Sequence, residues 1–279
     1  MTFPIKIIAL DLDGTLLATD KSLSAENYAA LKRAADAGIW IVPTTGRFLG
    51  GLPQPVKDLP FLRYVITVNG AEGLDLATGE TFYRETIPWQ RAVEIMKWLD
   101  HKEVVYDCCI GNEAFISVDK REDMALMMKH PKGREFVYKF RKPVEELKNF
   151  VELRKQGVQK IQMTTKNAEV RRDLLENMAA EFGDISVVSS VPSNVEVTTL
   201  KGTKGDALMA LADHLGIDRK ATMSFGDGLN DVSMLTKAGI GVAMGNAFDN
   251  VKDLVQYVTD TNDNHGVAKG IARFVFGEE

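Results

Sequence analysis

Residues 5–10, IKIIAL, lack polar alternation and end at turn residues, which predicts a strand buried on both faces. SAENYAALKRAADAG then switches to helical spacing. Tyr28, Leu31 and Ala35 recur on one face, Ser24 can cap the start, Glu26 favours the first turn and Gly38 ends the segment. IWIVP at 39–43 predicts a second strand and YVITVNGA at 64–71 a third. Strand, helix, strand in this order predicts a right-handed crossover and a parallel sheet.

Near residue 84 the pattern changes. IPWQRAVEIMKWLD predicts a helix with Ala92, Ile95, Met96 and Leu99 on one side, and VVYDCCIGNEAFISV predicts two strands joined near Gly111-Asn112. The strand GVQKIQMTT, the helix EVRRDLLENMAAEF and a strand pair in DISVVSSVPSNVEVTTL follow, so an antiparallel α+β unit is expected over 84–193. The alternating pattern then returns: helical KGDALMALADHLGI, strand ATMSF, helix VSMLTKAG, strand GIGVAM, and helical DNVKDLVQYV and HGVAKGIARFVF. The fold class is therefore α/β, a doubly wound parallel sheet core of 1–83 and 194–279 with an inserted α+β unit of 84–193. The boundaries rest on the change of pattern alone.

Composition narrows the function classes. A chain of 279 residues, 45% hydrophobic and 26% charged, can bury a substantial core, and its net charge of −5 gives no electrostatic reason to expect nucleic acid or an anionic membrane as partner. The amino-terminal segment lacks the cationic and apolar regions of a secretory signal, and no later run approaches a membrane span. A cytoplasmic protein is expected. Cys108 and Cys109 are adjacent, poorly placed for a structural disulfide or a zinc site, and buried packing is the role expected of them. Oligomeric state is not readable.

Four polar pieces fall at strand ends or helix starts: Asp11 and Asp13; Thr45, Gly46 and Arg47; Lys204; and Asp227, Asn230 and Asp231. Singly, each has an ordinary reading as a turn, a loop, a solvated side chain or a helix cap. If the strands neighbour one another, their carboxylates converge at one sheet edge, where two unit charges ~4 Å apart repel by about 4 kcal/mol at an effective dielectric near 20. Such a cluster needs a cation, and hard oxygen ligands without histidine or cysteine point to Mg²⁺. Thr45, Arg47, Lys204 and the amides around Gly46 supply donors and positive charge suited to a phosphoryl group. Asp11 could attack phosphorus and Asp13 reach the leaving oxygen.

DLDGT at 11–15, TTGR at 44–47, KG at 204–205 and GDGLND at 226–231 resemble, in order and spacing, the four motifs of the haloacid dehalogenase-like phosphatases, and specifically the Cof-type branch with a large α/β cap between the second and third motifs. GNA at 245–247 and GVAKGI at 266–271 add to the likeness, while His265 stands where the family often has an acidic residue. The resemblance implies that Asp11 is nucleophile and metal ligand, and that Asp13 is general acid and base and gives its carbonyl to the metal. Thr45 and Gly46 would hold phosphoryl oxygens, Lys204 would stabilise the charge on Asp11 and phosphate, and Asp227 would complete the metal site. Asn230 would contact phosphate or metal-bound water, with Asp231 orienting the metal shell or Lys204 from behind. Lys204 is preferred to Lys201 because it opens the amphipathic helix. Arg47 is open between substrate contact and a surface pair. His101, His130 and His214 lack metal spacing.

The activity so implied is Mg²⁺-dependent hydrolysis of small phosphorylated metabolites, sugar phosphates first and phosphorylated cofactors behind, through an aspartyl phosphate. It requires Asp13 to be neutral when it gives its proton. The alternatives are a phosphomutase of the same architecture and a non-catalytic binder of phosphometabolites.

Overall fold

The computed structural model describes residues 4–128, 131–190 and 193–278. Strand β1 (Ile7–Leu10) has no polar side chain and is fully buried. Helix α1 (Ala25–Asp36) is capped by Ser24, whose hydroxyl accepts from the Asn27 amide. Its inner face is Asn27, Leu31 and Ala34, one position round from the expected stripe, and Tyr28 is exposed. Asn27 is inside because its carboxamide donates to the Leu16 carbonyl and accepts from the Ala268 amide. Next come β2 (Trp40–Pro43), the short α2 (Gln54–Lys57), β3 (Tyr64–Thr67), β4 (Glu72–Asp75) and β5 (Thr81–Arg84), the last three an antiparallel meander.

The chain continues through α3 (Trp89–Leu99), β6 (Val105–Ile110), β7 (Glu113–Ser117), α4 (Val118–Met127), α5 (Pro131–Phe140), β8 (Arg141–Val144), α6 (Leu147–Arg154), β9 (Lys160–Thr164), α7 (Ala168–Phe182), β10 (Ile185–Val188) and β11 (Asn194–Thr199). Their six strands form one sheet in the order β10-β11-β9-β6-β7-β8, antiparallel except that β7 and β8 run parallel. Ala92, Ile95, Met96 and Leu99 of α3 pack with Cys108, Phe115, Ile161 and Val197 on one face. The period-2 alternation of a strand sends Asp107 and Cys109 to the other. There the buried pairs Arg141–Asp107 and Lys160–Glu196 each close at 2.5 Å. Both cysteines are buried free thiols; burial pushes Cys108 well up and Cys109 up to about 12.

The last part holds α8 (Lys204–His214), β12 (Thr222–Gly226), α9 (Val232–Lys237), β13 (Ile240–Ala243), α10 (Asp249–Lys252), β14 (Tyr257–Val258) and α11 (Gly266–Phe276). DNVKDLVQYV is thus not a continuous helix: it stops at Lys252, and Tyr257–Val258 pair with Val242–Ala243 as an edge strand, a tertiary pairing that overrides local helical spacing. The core sheet is all parallel, in the order β14-β13-β12-β1-β2, and a bridge from Thr44 to Ile66 joins β3 to it. Ile7, Ala9, Val42 and Ile66 pack against Ala207, Leu208 and Leu211 of α8 and Met234 of α9. Each fully buried Ile or Leu contributes roughly 1.5–3 kcal/mol relative to exposure.

The chain divides into two compact units, one up to Arg47 with Leu52–Arg84 and everything from Thr203, the other Phe48–Gly51 with Glu85–Gly202. The second junction therefore lies after Gly202 rather than at 193/194, because β11 pairs with β10 and β9. No helix among the described residues is long and apolar enough to cross a membrane.

Candidate active site

Sheet register decides which residues meet. Leu10 lies opposite Pro43 on one side and Phe225 on the other, so β1, β2 and β12 end level. Asp11, the first residue past β1, stays in the ladder by donating its amide to the Phe225 carbonyl at 3.0 Å. Asp227 follows the last residue of β12 and Thr44–Arg47 follow β2. This common carboxyl edge is where ligands of open α/β sheets bind.

Lys204 opens α8, whose cap, Thr203, accepts from the Asp206 amide. Its side chain is fully buried, and Nζ donates to Asp11 Oδ1 and Asp231 Oδ1, both at 2.6 Å. Burial disfavours the ammonium, yet Asp11 and Asp231 outweigh it and hold Lys204 above its ordinary range. Lys201, the alternative, is exposed. Asp231 Oδ2 accepts from the amides of Asp227 and Gly228, each at 2.9 Å, so both its oxygens are engaged. Thr15 donates its hydroxyl to Asp227 Oδ1 at 2.8 Å.

Carboxylate oxygens of Asp11, Asp227 and Asp231 lie within 4.8 Å of one another. Burial, reinforced by Asp231, pushes Asp227 up to about 6. Asp11 is raised well above the usual range by burial, with Asp231 and Asp227 adding to it against the pull of Lys204. Among the described residues, Lys204 is the one donor to the Asp11 carboxylate and Thr15 the one donor to that of Asp227. Each therefore keeps an oxygen for a cation. Such a donor set of hard oxygens, with excess negative charge, fits Mg²⁺. Asp231, its oxygens already spent, fits orientation of Lys204 and of the Asp227 backbone better than direct ligation. At Gly14 (φ 89°) a Cβ would lie 2.5 Å from Asp227 Oδ2, so only glycine lets the turn after Asp13 pass this close.

Asp13 departs from expectation. Arg47 clamps it through Nε at 2.7 Å and Nη2 at 2.9 Å, and Lys21 Nζ adds a third contact at 2.9 Å. Burial works against ionisation, but these two cations hold the carboxyl down to about 2, so Asp13 is ionised here rather than neutral. The same geometry settles where Arg47 sits in this structure: half-buried on Asp13. Thr45 is buried, and its Oγ1 accepts from the Arg47 amide at 3.2 Å. Asn230 is half-buried and donates to Asn69 Oδ1 at 3.2 Å. Gly46 lies against the same Asn69.

Thr15, Lys21 and Asn69 were not singled out by sequence reasoning. Thr15 closes DLDGT and Asn69-Gly70 is a turn dipeptide at a strand tip, so both carried a local signal; Lys21 carried none. The phrase GNA gains a structural meaning: Asn246 donates to the Gly14 carbonyl at 2.8 Å and accepts from the Asn262 amide, bracing the turn after Asp13. The histidines stay outside the cluster. His265 Nδ1 lies 3.6 Å from Glu26, His214 stacks on Phe82, His101 is exposed, and His130 falls outside the described residues.

The chain is similar to known proteins over nearly its whole length. The sequence model of the haloacid dehalogenase-like hydrolases matches residues 8–271. The chain is similar to the phosphatase YwpJ of Bacillus subtilis (strain 168), 34% identical over 283 residues that cover 95% of this chain and 98% of that one. It is also similar to the 5-amino-6-(5-phospho-D-ribitylamino)uracil phosphatase YcsE of the same strain, 31% identical over 273 residues, covering 97% and 96%. A solved haloacid dehalogenase-like hydrolase from B. subtilis shares the fold with a TM-score of 0.83 at 32% identity, covering 96% of this chain and 99% of that one. With a match that runs from the first strand of the core through the insert to the last helix, the chain belongs to the haloacid dehalogenase-like hydrolase family.

Proposed function

We propose that the protein is a Mg²⁺-dependent phosphomonoesterase acting on small phosphorylated metabolites through an aspartyl phosphate on Asp11. One observation carries this reading: a fully buried Lys204 joins Asp11 to Asp231 beside Asp227, a net-anionic cluster that calls for a cation at the carboxyl edge of the sheet. Asp11 and Asp227 would hold the metal, with the Asp13 carbonyl as a further ligand. Bound there, Mg²⁺ would neutralise carboxylate repulsion and phosphate charge.

Asp11 then attacks phosphorus while Lys204 and the Thr45–Gly46 loop hold the developing charge, and Asn230 steadies a phosphoryl oxygen. Asp13 is read as the proton donor to the leaving alcohol and later the base for water. Because Arg47 and Lys21 keep it ionised, that role requires Arg47 to move off Asp13 when substrate enters. The guanidinium then becomes free to pair with a phosphoryl oxygen. The ribityl phosphate ester named for one relative supports sugar and polyol phosphates as the leading class. We assign selection of the organic part to the inserted unit.

A phosphate-release screen over sugar, polyol and cofactor monoesters in Mg²⁺ tests the reading. Asp11→Asn should abolish release of phosphate while leaving the far-ultraviolet circular dichroism unchanged. Substantial residual turnover in that variant would remove Asp11 from the nucleophile's place.

A further inference from the structure

Val68 (φ 53°), Asn69 (φ 60°) and Gly70 (φ 97°), immediately after β3, all lie in the left-handed region. Asparagine and glycine tolerate that conformation, whereas a β-branched valine rarely adopts it, so surrounding structure must impose it. The segment touches three pieces of the candidate site. Thr45 donates its amide to the Ile66 carbonyl at 2.9 Å, Asn69 to Thr45 at 3.0 Å and Val68 to Arg47 at 2.9 Å, so one backbone hydrogen bond fastens the loop after β2 to β3 and two fasten it to this turn. The buried Asn69 carboxamide accepts from Asn230 at 3.2 Å and lies against Gly46, where a Cβ would fall 2.6 Å from its Oδ1. Gly70 approaches the start of α8 so closely that a Cβ would lie 2.1 Å from the Thr203 carbonyl and 2.5 Å from the Lys204 nitrogen.

We infer that Asn69 is a positioning residue for phosphoryl binding, holding the Thr45–Gly46 loop and Asn230 in register with the helix start that carries Lys204. The inference rests on the phosphatase reading given above. Phosphoryl transfer depends on placing donors to within a fraction of an ångström, and these three donor groups come from segments of the chain that share no secondary-structure element. A neutral amide is suited to the place. It offers an acceptor to Asn230 without adding a charge to a site that already holds Asp11, Asp227 and Asp231, and it accepts the left-handed backbone.

Asn69→Gly removes the carboxamide and keeps the backbone conformation available. In Mg²⁺ buffer, calorimetric binding of inorganic phosphate should weaken about tenfold and kcat/KM for p-nitrophenyl phosphate should fall roughly 10- to 100-fold, the size of effect that ~1 Å misplacement produces. Combining it with Asn230→Ala should cost less than the product of the two single losses, because one change already frees what the other holds. Losses that multiply in full, or Asn69→Gly binding and turnover within about twofold of wild type, would overturn the inference. Wild-type protein that binds phosphate but hydrolyses no ester would refute the phosphatase reading alone, leaving the binding comparison to decide; wild-type protein that binds no phosphate would overturn both.

Discussion

Replacing Lys204 by methionine keeps an unbranched, fully buried side chain one atom shorter and deletes its charge. Each of its two 2.6 Å contacts is worth roughly 6 kcal/mol of gross Coulomb energy at an effective dielectric near 20, most of it offset by the desolvation that burial of the three groups already cost. Breaking a buried ion pair by removing one partner costs about 3–5 kcal/mol net. That corresponds to a fall in Tm of about 6–20 °C at roughly 2–4 °C per kcal/mol.

The sign of the pH dependence follows from the neighbours. Asp11 is already pushed up by burial, Asp231 and Asp227, with Lys204 pulling against them. Without Lys204, folded Asp11 keeps its proton to still higher pH while the unfolded chain releases it. The folded variant then binds more protons than the unfolded one, and its stability falls as pH rises. Each pH unit over which the variant holds one proton that wild type lacks adds about 1.4 kcal/mol to the deficit. Thermal unfolding of both proteins in metal-free buffer, followed from the ordinary carboxylate range at about pH 4 upward, reads this. A deficit that grows nowhere over that range, or a Tm within about 2 °C of wild type, would refute the argument that Lys204 neutralises Asp11 and Asp231.

Mg²⁺ at about 100 times its dissociation constant should stabilise the wild-type protein by about 2.7 kcal/mol. Asp227→Asn should lose that increment in a thermal-shift titration; an unchanged shift would place the ion elsewhere. Arg47→Ala should raise the Asp13 carboxyl from about 2 towards its ordinary value, as read by carbon NMR titration. A depressed carboxyl contributes stability above its unfolded pKa and loses it as pH falls through the folded one, so the variant's deficit should be complete at pH 5–7 and close as pH falls towards 2; unshifted titration would remove Arg47 as the cause. Cys108 and Cys109 are buried with thiols pushed far up, so iodoacetamide at pH 8 should label neither until the protein unfolds, and rapid labelling of folded protein would show that this sheet opens.

The core strands and the strand-tip acids were legible because apolar runs ending in turn residues leave little choice of element, and the amphipathic helix that Lys204 opens distinguished it from Lys201. The meander β4–β5 was not legible: its buried positions include Glu72 and Asp75, charges that Arg84 and Arg63 reach and pair. Nor was α4, whose buried residues are Met124 and Ala125, too few to set a helical stripe. At the site, the pattern located Asp13 but not its charge state, which depends on Arg47, 34 residues away, and on Lys21. Asn69 was read as the end of a strand because its partners, Thr45 and Asn230, come close only once the sheet has formed.

The placement of β1 between β2 and β12 also governs the order in which this protein can mature on the ribosome. Asp11 is made before its partners: Lys204 lies 193 residues behind it, and the strand that completes β1's ladder comes later still. The unit spanning Glu85–Gly202 has its own sheet and can close while the amino-terminal strands wait. A nascent chain cut anywhere before Thr222 leaves one edge of β1 unpaired and lacks Asp227 and Asp231, so the site stays incomplete until β12 and the turn after it have been made.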